Sequence, residues 1–211
     1  MTDFGEFVER LALADSMPSV FNPYAGQSGE TRRANLQLYL DRMAVRQPRI
    51  LLVGEAPGYR GCRVTGVPFT STTILLSEPS PFDLFGSSAG FRLSFDGDEP
   101  ARETTATILW QTLLAQEFLP LLWNAFPFHP YRLDQPRSNR TPNRAELATG
   151  SIFLADLVSR YPIERIIAVG NKAWEALGTC GMAATKIRHP ARGGKVDFGR
   201  ELSAAISVAE V

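Results

Sequence analysis

Three short apolar runs limit what this chain can fold into: residues 49–54 (RILLVG), 119–125 (LPLLWNA) and 164–170 (ERIIAVG). Each has the length of a strand rather than a helix, and none alternates polar with apolar residues. That pattern fits strands buried on both faces, which occur in parallel sheets covered by helices. A shorter run at 183–188 reads as a fourth strand. Helical patterns lie between the runs, at 3–15, 30–46, 104–117, 143–160, 172–177 and 196–206, with a short helix at 71–77. The helix at 30–46 carries Leu36, Leu38, Leu40 and Met43, and the one at 143–160 begins with Asn143 as N-cap and Glu146 at the capping-box position. Residues 78–100, rich in Pro, Gly, Ser and Asp, read as a long surface excursion. Strands separated by helices predict an α/β fold, a three-layer α/β/α sandwich around a central four-stranded parallel sheet. A length of 211 residues with no repeat or linker fits a single domain over 1–211.

Composition excludes several classes. With 44% hydrophobic and 21% charged residues the chain has an ordinary globular balance, and no apolar run is long enough to span a bilayer. The first residues, with Asp3 and Glu6, lack the basic and apolar regions of a signal peptide, so a cytoplasmic protein is expected. Cys62 and Cys180 are far apart and form no metal or disulfide pattern, so neither metal nor cofactor is expected. Net charge is zero, but its distribution is uneven. Residues 131–144 sum to +3, residues 186–200 to +4, and Arg60 with Arg63 adds +2. Each cluster alone reads as a solvated loop. Brought to one face, the three would suit a nucleic-acid backbone.

Ligand sites in open parallel sheets form where loops leave the carboxyl ends of strands. Glu55, Asn124, Gly170 and His189 fall at or just past the ends of four different predicted strands. Gly54-Glu55-Ala56-Pro57-Gly58 is followed by Gly66-Val67-Pro68-Phe69. Trp123-Asn124 is followed by Asn139-Arg140-Thr141-Pro142, and His189-Pro190-Ala191 comes later. In this order the three blocks resemble the motifs of the uracil-DNA glycosylase superfamily, closest to its thermostable family 4 branch. The resemblance spans roughly residues 49–194.

The resemblance implies DNA containing a damaged or deaminated base as partner, and excision of uracil by hydrolysis of its N-glycosidic bond; a monomer is expected. Glu55 and His189 are the expected catalytic residues. Glu55 would orient water and favour the cationic sugar, and His189 would hydrogen-bond the departing uracil anion. Gly54, Ala56, Pro57, Gly58, Phe69 and Asn124 are the expected base-binding residues, with Phe69 as stacking platform and Asn124 reading the base edge through its amide. Gly58 would let a nucleotide approach the backbone closely. Arg60, Arg140, Arg188, Arg192 and Lys195 are the candidates for backbone phosphates. His129 lies in the middle block, where the family places no catalytic group.

The sequence also departs from that family. The four cysteines that hold an iron–sulfur cluster in family 4 are absent. Tyr59-Arg60-Gly61-Cys62 replaces the acids that help exclude the thymine methyl group, leaving Tyr59 as the candidate to fill that space. Arg192-Gly193-Gly194 stands where many relatives carry a wedging leucine. Two other readings remain open at this point: excision of another base (hypoxanthine, xanthine or mismatched thymine), and nucleic-acid binding without catalysis.

Overall fold

A computed structural model describes residues 4–94 and 102–207. In chain order its elements are α1 (Phe4–Ala12), β1 (Val20–Phe21), α2 (Glu30–Arg46), β2 (Ile50–Gly54), α3 (Cys62–Thr65), α4 (Thr72–Leu75), α5 (Thr104–Ala115), β3 (Leu121–Asn124), β4 (His129–Pro130), α6 (Arg144–Ser159), β5 (Arg165–Val169), α7 (Asn171–Thr179), β6 (Thr185–Ile187) and α8 (Lys195–Ser207). The three apolar runs and the shorter run at 183–188 form one parallel sheet in the order β3-β2-β5-β6. Helices cover both sides, as the unbroken apolar character of β2 and β3 requires. Because the strands are parallel, their carboxyl ends open on one rim. There the register sets Gly54 beside Asn124 and Val169 beside Ile187.

Helix α2 buries Leu36, Tyr39, Leu40 and Met43, a spacing that places them on one stripe. The Tyr39 hydroxyl accepts a hydrogen bond from the Leu122 amide, tying this helix to β3. The expected α6 capping box is present: the Glu146 amide donates to Asn143 Oδ1 at 3.0 Å and the Asn143 amide to Glu146 Oε2 at 2.8 Å.

Two parts of the chain differ from the sequence reading. The excursion expected at 78–100 is packed over much of its described length: Leu84, Phe85 and Phe91 are buried, and Phe85 meets Tyr39, Phe91 and Trp110. Its Pro and Gly content sets the turns, while these apolar side chains supply the anchor; residues 95–100 lie outside the described residues. The segment after Asn124, given no element in the sequence reading, also carries one. His129 and Pro130 form an antiparallel ribbon with Val20 and Phe21, too short for a periodic signal to reveal.

Arg140, expected at a DNA phosphate, has a structural role instead. Its guanidinium forks onto Glu146 at 2.6 and 2.7 Å and also donates to the carbonyls of Tyr131, Thr141 and Ser19. It thereby joins the end of the loop before β1, the residue after β4 and the N-terminus of α6. The Glu146 side chain is only 4% exposed, so removing its partner strands a buried carboxylate. Arg140→Ala is expected to cost about 3 kcal/mol or more in urea unfolding. Arg140→Lys should recover only part of this, because an ammonium lacks the planar fork.

Candidate active site

The loops leaving the rim enclose a cavity of about 860 Å³ lined by residues of all three sequence blocks. Gly54, Glu55, Ala56, Pro57, Gly58, Phe69, Asn124, Arg188, His189 and Arg192, all singled out in the sequence, are on its wall. Arg60, Arg140 and Lys195 are not: Arg60 is exposed with its guanidinium over the Tyr59 ring, and Lys195 donates to Gln111. Tyr59 is also absent from the wall, so it does not fill the space expected of it; Gly61 and Cys62 line the cavity there.

The floor follows from the β2–β3 pairing. Asn124 is buried, and a Cβ at position 54 would lie 2.7 Å from both Asn124 Oδ1 and Phe69 Cζ. Only glycine lets this amide and this ring meet over the strand end. Backbone pairing continues past the strands, with Ala125 and Phe126 donating to the carbonyls of Gly54 and Glu55 at 2.8 and 3.0 Å. Phe69 has φ +53°, a left-handed conformation costly for a bulky residue. Trp110 holds it there by donating Nε1–H to the Phe69 carbonyl at 2.9 Å. The Thr70 hydroxyl, bonded to Thr65 and to the Val67 carbonyl, fixes the same loop.

Glu55 is half-buried, and its Oε1 has no hydrogen-bond partner among the described residues. Burial raises its pKa above the ordinary 4.5; a hydrogen bond with Thr141 and the Lys172 charge oppose this, while Glu175 adds to it. A carboxylate poorly solvated by its own protein favours a nearby cation and accepts a proton readily.

His189 stands where β6 ends. The Ala191 amide donates to its Nδ1 at 3.1 Å, so in the neutral ring the proton is on Nε2, making that nitrogen a donor. Burial lowers its pKa below 6.5; Glu103 opposes this, and Arg188 and Arg192 reinforce it. Gly170, at φ +90°, gives the imidazole room, since a Cβ there would lie 2.9 Å from His189 Cβ. Glu201 accepts from the Arg188 amide at 2.6 Å and fixes the start of the loop.

Several contributors had no assigned role in the sequence reading. His129, set aside there, is fully buried and bonds the Pro57 carbonyl through Nδ1 at 2.8 Å, bracing the Glu55 turn from below. Asn139 Oδ1 accepts from the Tyr59 amide at 3.1 Å and steadies the same turn. Glu103 caps α5 by accepting from the amides of Thr105 and Ala106, and it also lines the cavity. Lys172 and Lys186 line the cavity as well. A His-Pro pair and a helix-start glutamate are visible in the sequence, but nothing in it sets His129 under the Glu55 turn or Glu103 on the cavity wall.

Among the described residues no group of His, Cys, Asp and Glu could hold a metal ion. The rim therefore combines a stacking ring, a buried amide, an under-solvated carboxylate and an imidazole with Nε2 free to donate, a set suited to binding a planar base and stabilising charge as its bond to a sugar breaks.

Comparison with known proteins agrees with this chemistry. The family model of the uracil DNA glycosylase superfamily matches residues 41–201, and the chain belongs to that superfamily. Membership supports a DNA glycosylase. Among solved structures, the fold is similar to that of wild-type Pedobacter heparinus SMUG2, with a TM-score of 0.64 and 13% identity over 99% of both chains. No curated protein matches the chain by sequence.

The Glu55 environment predicts a stability effect with a definite sign. Its folded pKa is raised, so its favourable contribution is complete below the unfolded value and is lost as pH rises through the folded one. Glu55→Gln should therefore be more stable than the parent near pH 7, with the difference closing below about pH 4, under the unfolded glutamate value. Thermal unfolding across that range checks it; a destabilised Glu55→Gln at pH 7 would contradict the electrostatic account.

Proposed function

We propose that this chain is a monofunctional DNA glycosylase that hydrolyses the N-glycosidic bond of uracil. The observation carrying the proposal is the slot between the Asn124 amide and the Phe69 ring, bared by Gly54, with Glu55 and His189 on the same cavity wall. A uracil turned out of the stack would lie on Phe69 and present N3–H and O4 to the amide. As the bond from C1′ to N1 breaks, its electron pair leaves with the base. The anion on O2 then meets the Nε2–H of His189, while the Glu55 carboxylate faces the developing cation. Water attacks C1′ and passes its proton to Glu55, which its raised pKa favours.

Lys172 and Lys186 do not favour a covalent route. Lys172 is ion-paired with Glu175 at 3.3 Å, and Lys186 is stacked on Trp174. Their charges suit phosphate contact together with Arg188 and Arg192. A second reading, excision of a bulkier or C5-substituted base, is favoured by Gly61 and Cys62: the wall there is built of small side chains rather than Tyr59.

The test is excision from single- and double-stranded oligonucleotides carrying uracil, hypoxanthine, xanthine or a G·T mismatch. Uracil strands should break only after alkali, and borohydride should trap no adduct. His189→Ala should lose about a hundredfold or more in rate while remaining folded. Cleavage confined to another base would favour the second reading, and no cleavage of any strand by folded protein would contradict both.

A further inference from the structure

Beside the cavity lies a surface that excision chemistry does not use. Helix α7 buries Ala173, Ala176 and Leu177, and this stripe leaves Trp174 facing away from the core. Trp174 is 47% exposed, whereas Trp110 and Trp123 are 3% and 1% exposed. Fold stability does not require an indole at that position. The ring is nevertheless held: Lys186, from the edge strand β6, places Nζ 5.2 Å from its centroid. Lys186 itself lines the cavity, as do Asn171 and Lys172 from the first turn of α7 and Arg188 just past β6. Trp174 is thus joined to the cavity wall through both elements, within a strip carrying Lys172, Lys186 and Arg188. Glu175, the acid beside it on α7, is paired to Lys172.

An exposed aromatic ring with cations around it is the arrangement that binds single-stranded nucleic acid, where bases stack and phosphates meet the charges. We propose that Trp174 and Lys186 form a stacking platform for an unpaired base flanking the nucleotide held in the cavity, with the intervening phosphates on Lys186 and Arg188. The platform rests on the reading of the cavity as a nucleotide site. It gives the protein a grip on the strand that needs no complementary strand, and it predicts tighter binding where the bases beside the lesion are unpaired.

Trp174 is the indole a stacked base can reach, since the other two are buried, and its signal is the part of the fluorescence change lost in Trp174→Ala. The probe is a single strand of about nine nucleotides, a length within the range of single-strand sites. It carries a central abasic analogue, with or without bases at the flanking positions. The intact probe should quench tryptophan fluorescence. Removing the flanking bases on one side while keeping the phosphates should weaken binding about fivefold or more, the lower range for one base stacked on an aromatic ring. Trp174→Ala should lose the same factor and become indifferent to those bases, and Trp174→Phe should recover part of it. Equal affinity of Trp174→Ala and parent, or equal sensitivity of both to the flanking bases, would overturn the platform. Uracil release followed in parallel separates this from the proposed function: release with no dependence on Trp174 overturns the platform alone, while Trp174-dependent binding without release supports the platform and removes the excision reading.

Discussion

Strands β2 and β3 run side by side in a register that sets Gly54 against Asn124, and the site depends on that pairing. A slip by one residue would turn Asn124 to the other face of the sheet and bring a side chain where Gly54 has none. The missing Cβ lets a buried amide and an aromatic ring share one corner of the cavity. Backbone bonds continuing from Gly54 and Glu55 to Ala125 and Phe126 carry the register into the loops, so the Glu55 carboxylate inherits the rigidity of the sheet.

Around this corner the protein tolerates several local costs. Phe69 is held at a positive φ, Glu55 is partly desolvated with an unpartnered oxygen, and burial, with Arg188 and Arg192, lowers the His189 pKa against the pull of Glu103. Each would be relieved by relaxation or substitution, and each matches a need of base excision: a fixed stacking plane, a carboxylate poised toward a cation, and a hydrogen-bond donor without net charge. The support is spread through the neighbourhood. Trp110 holds Phe69, His129 and Asn139 hold the Glu55 turn, Ala191 sets the His189 tautomer, and Arg140 with Glu146 locks the segment beneath.

Much of this was legible in the sequence, for physical reasons. The apolar runs at 49–54 and 119–125 can be satisfied only by burial on two faces, which dictates a parallel sheet and places Glu55 and Asn124 on its rim. The capping box at Asn143 is a local signal and appears where expected. What could not be read depends on distant contacts. Arg140 belongs to a basic cluster in sequence, yet a buried Glu146 and three carbonyls claim its guanidinium. Tyr59 follows the motif directly, but the turn carries it off the cavity wall and presents Gly61 and Cys62 in its place. His129 and Glu103 belong to the site through contacts that no spacing encodes.

The most direct test of this account is the Gly54→Ala variant, in which one methyl group enters the corner shared by Asn124 and Phe69. Both neighbours meet it with side-chain atoms, so the sheet can remain intact while the slot closes. Uracil release from a single-stranded oligonucleotide, measured beside the unfolding temperature, should fall by at least about a hundredfold with the fold retained, the scale of losing one aligned catalytic contact. A folded Gly54→Ala protein releasing uracil at the parent rate would contradict the claim that this corner holds the base.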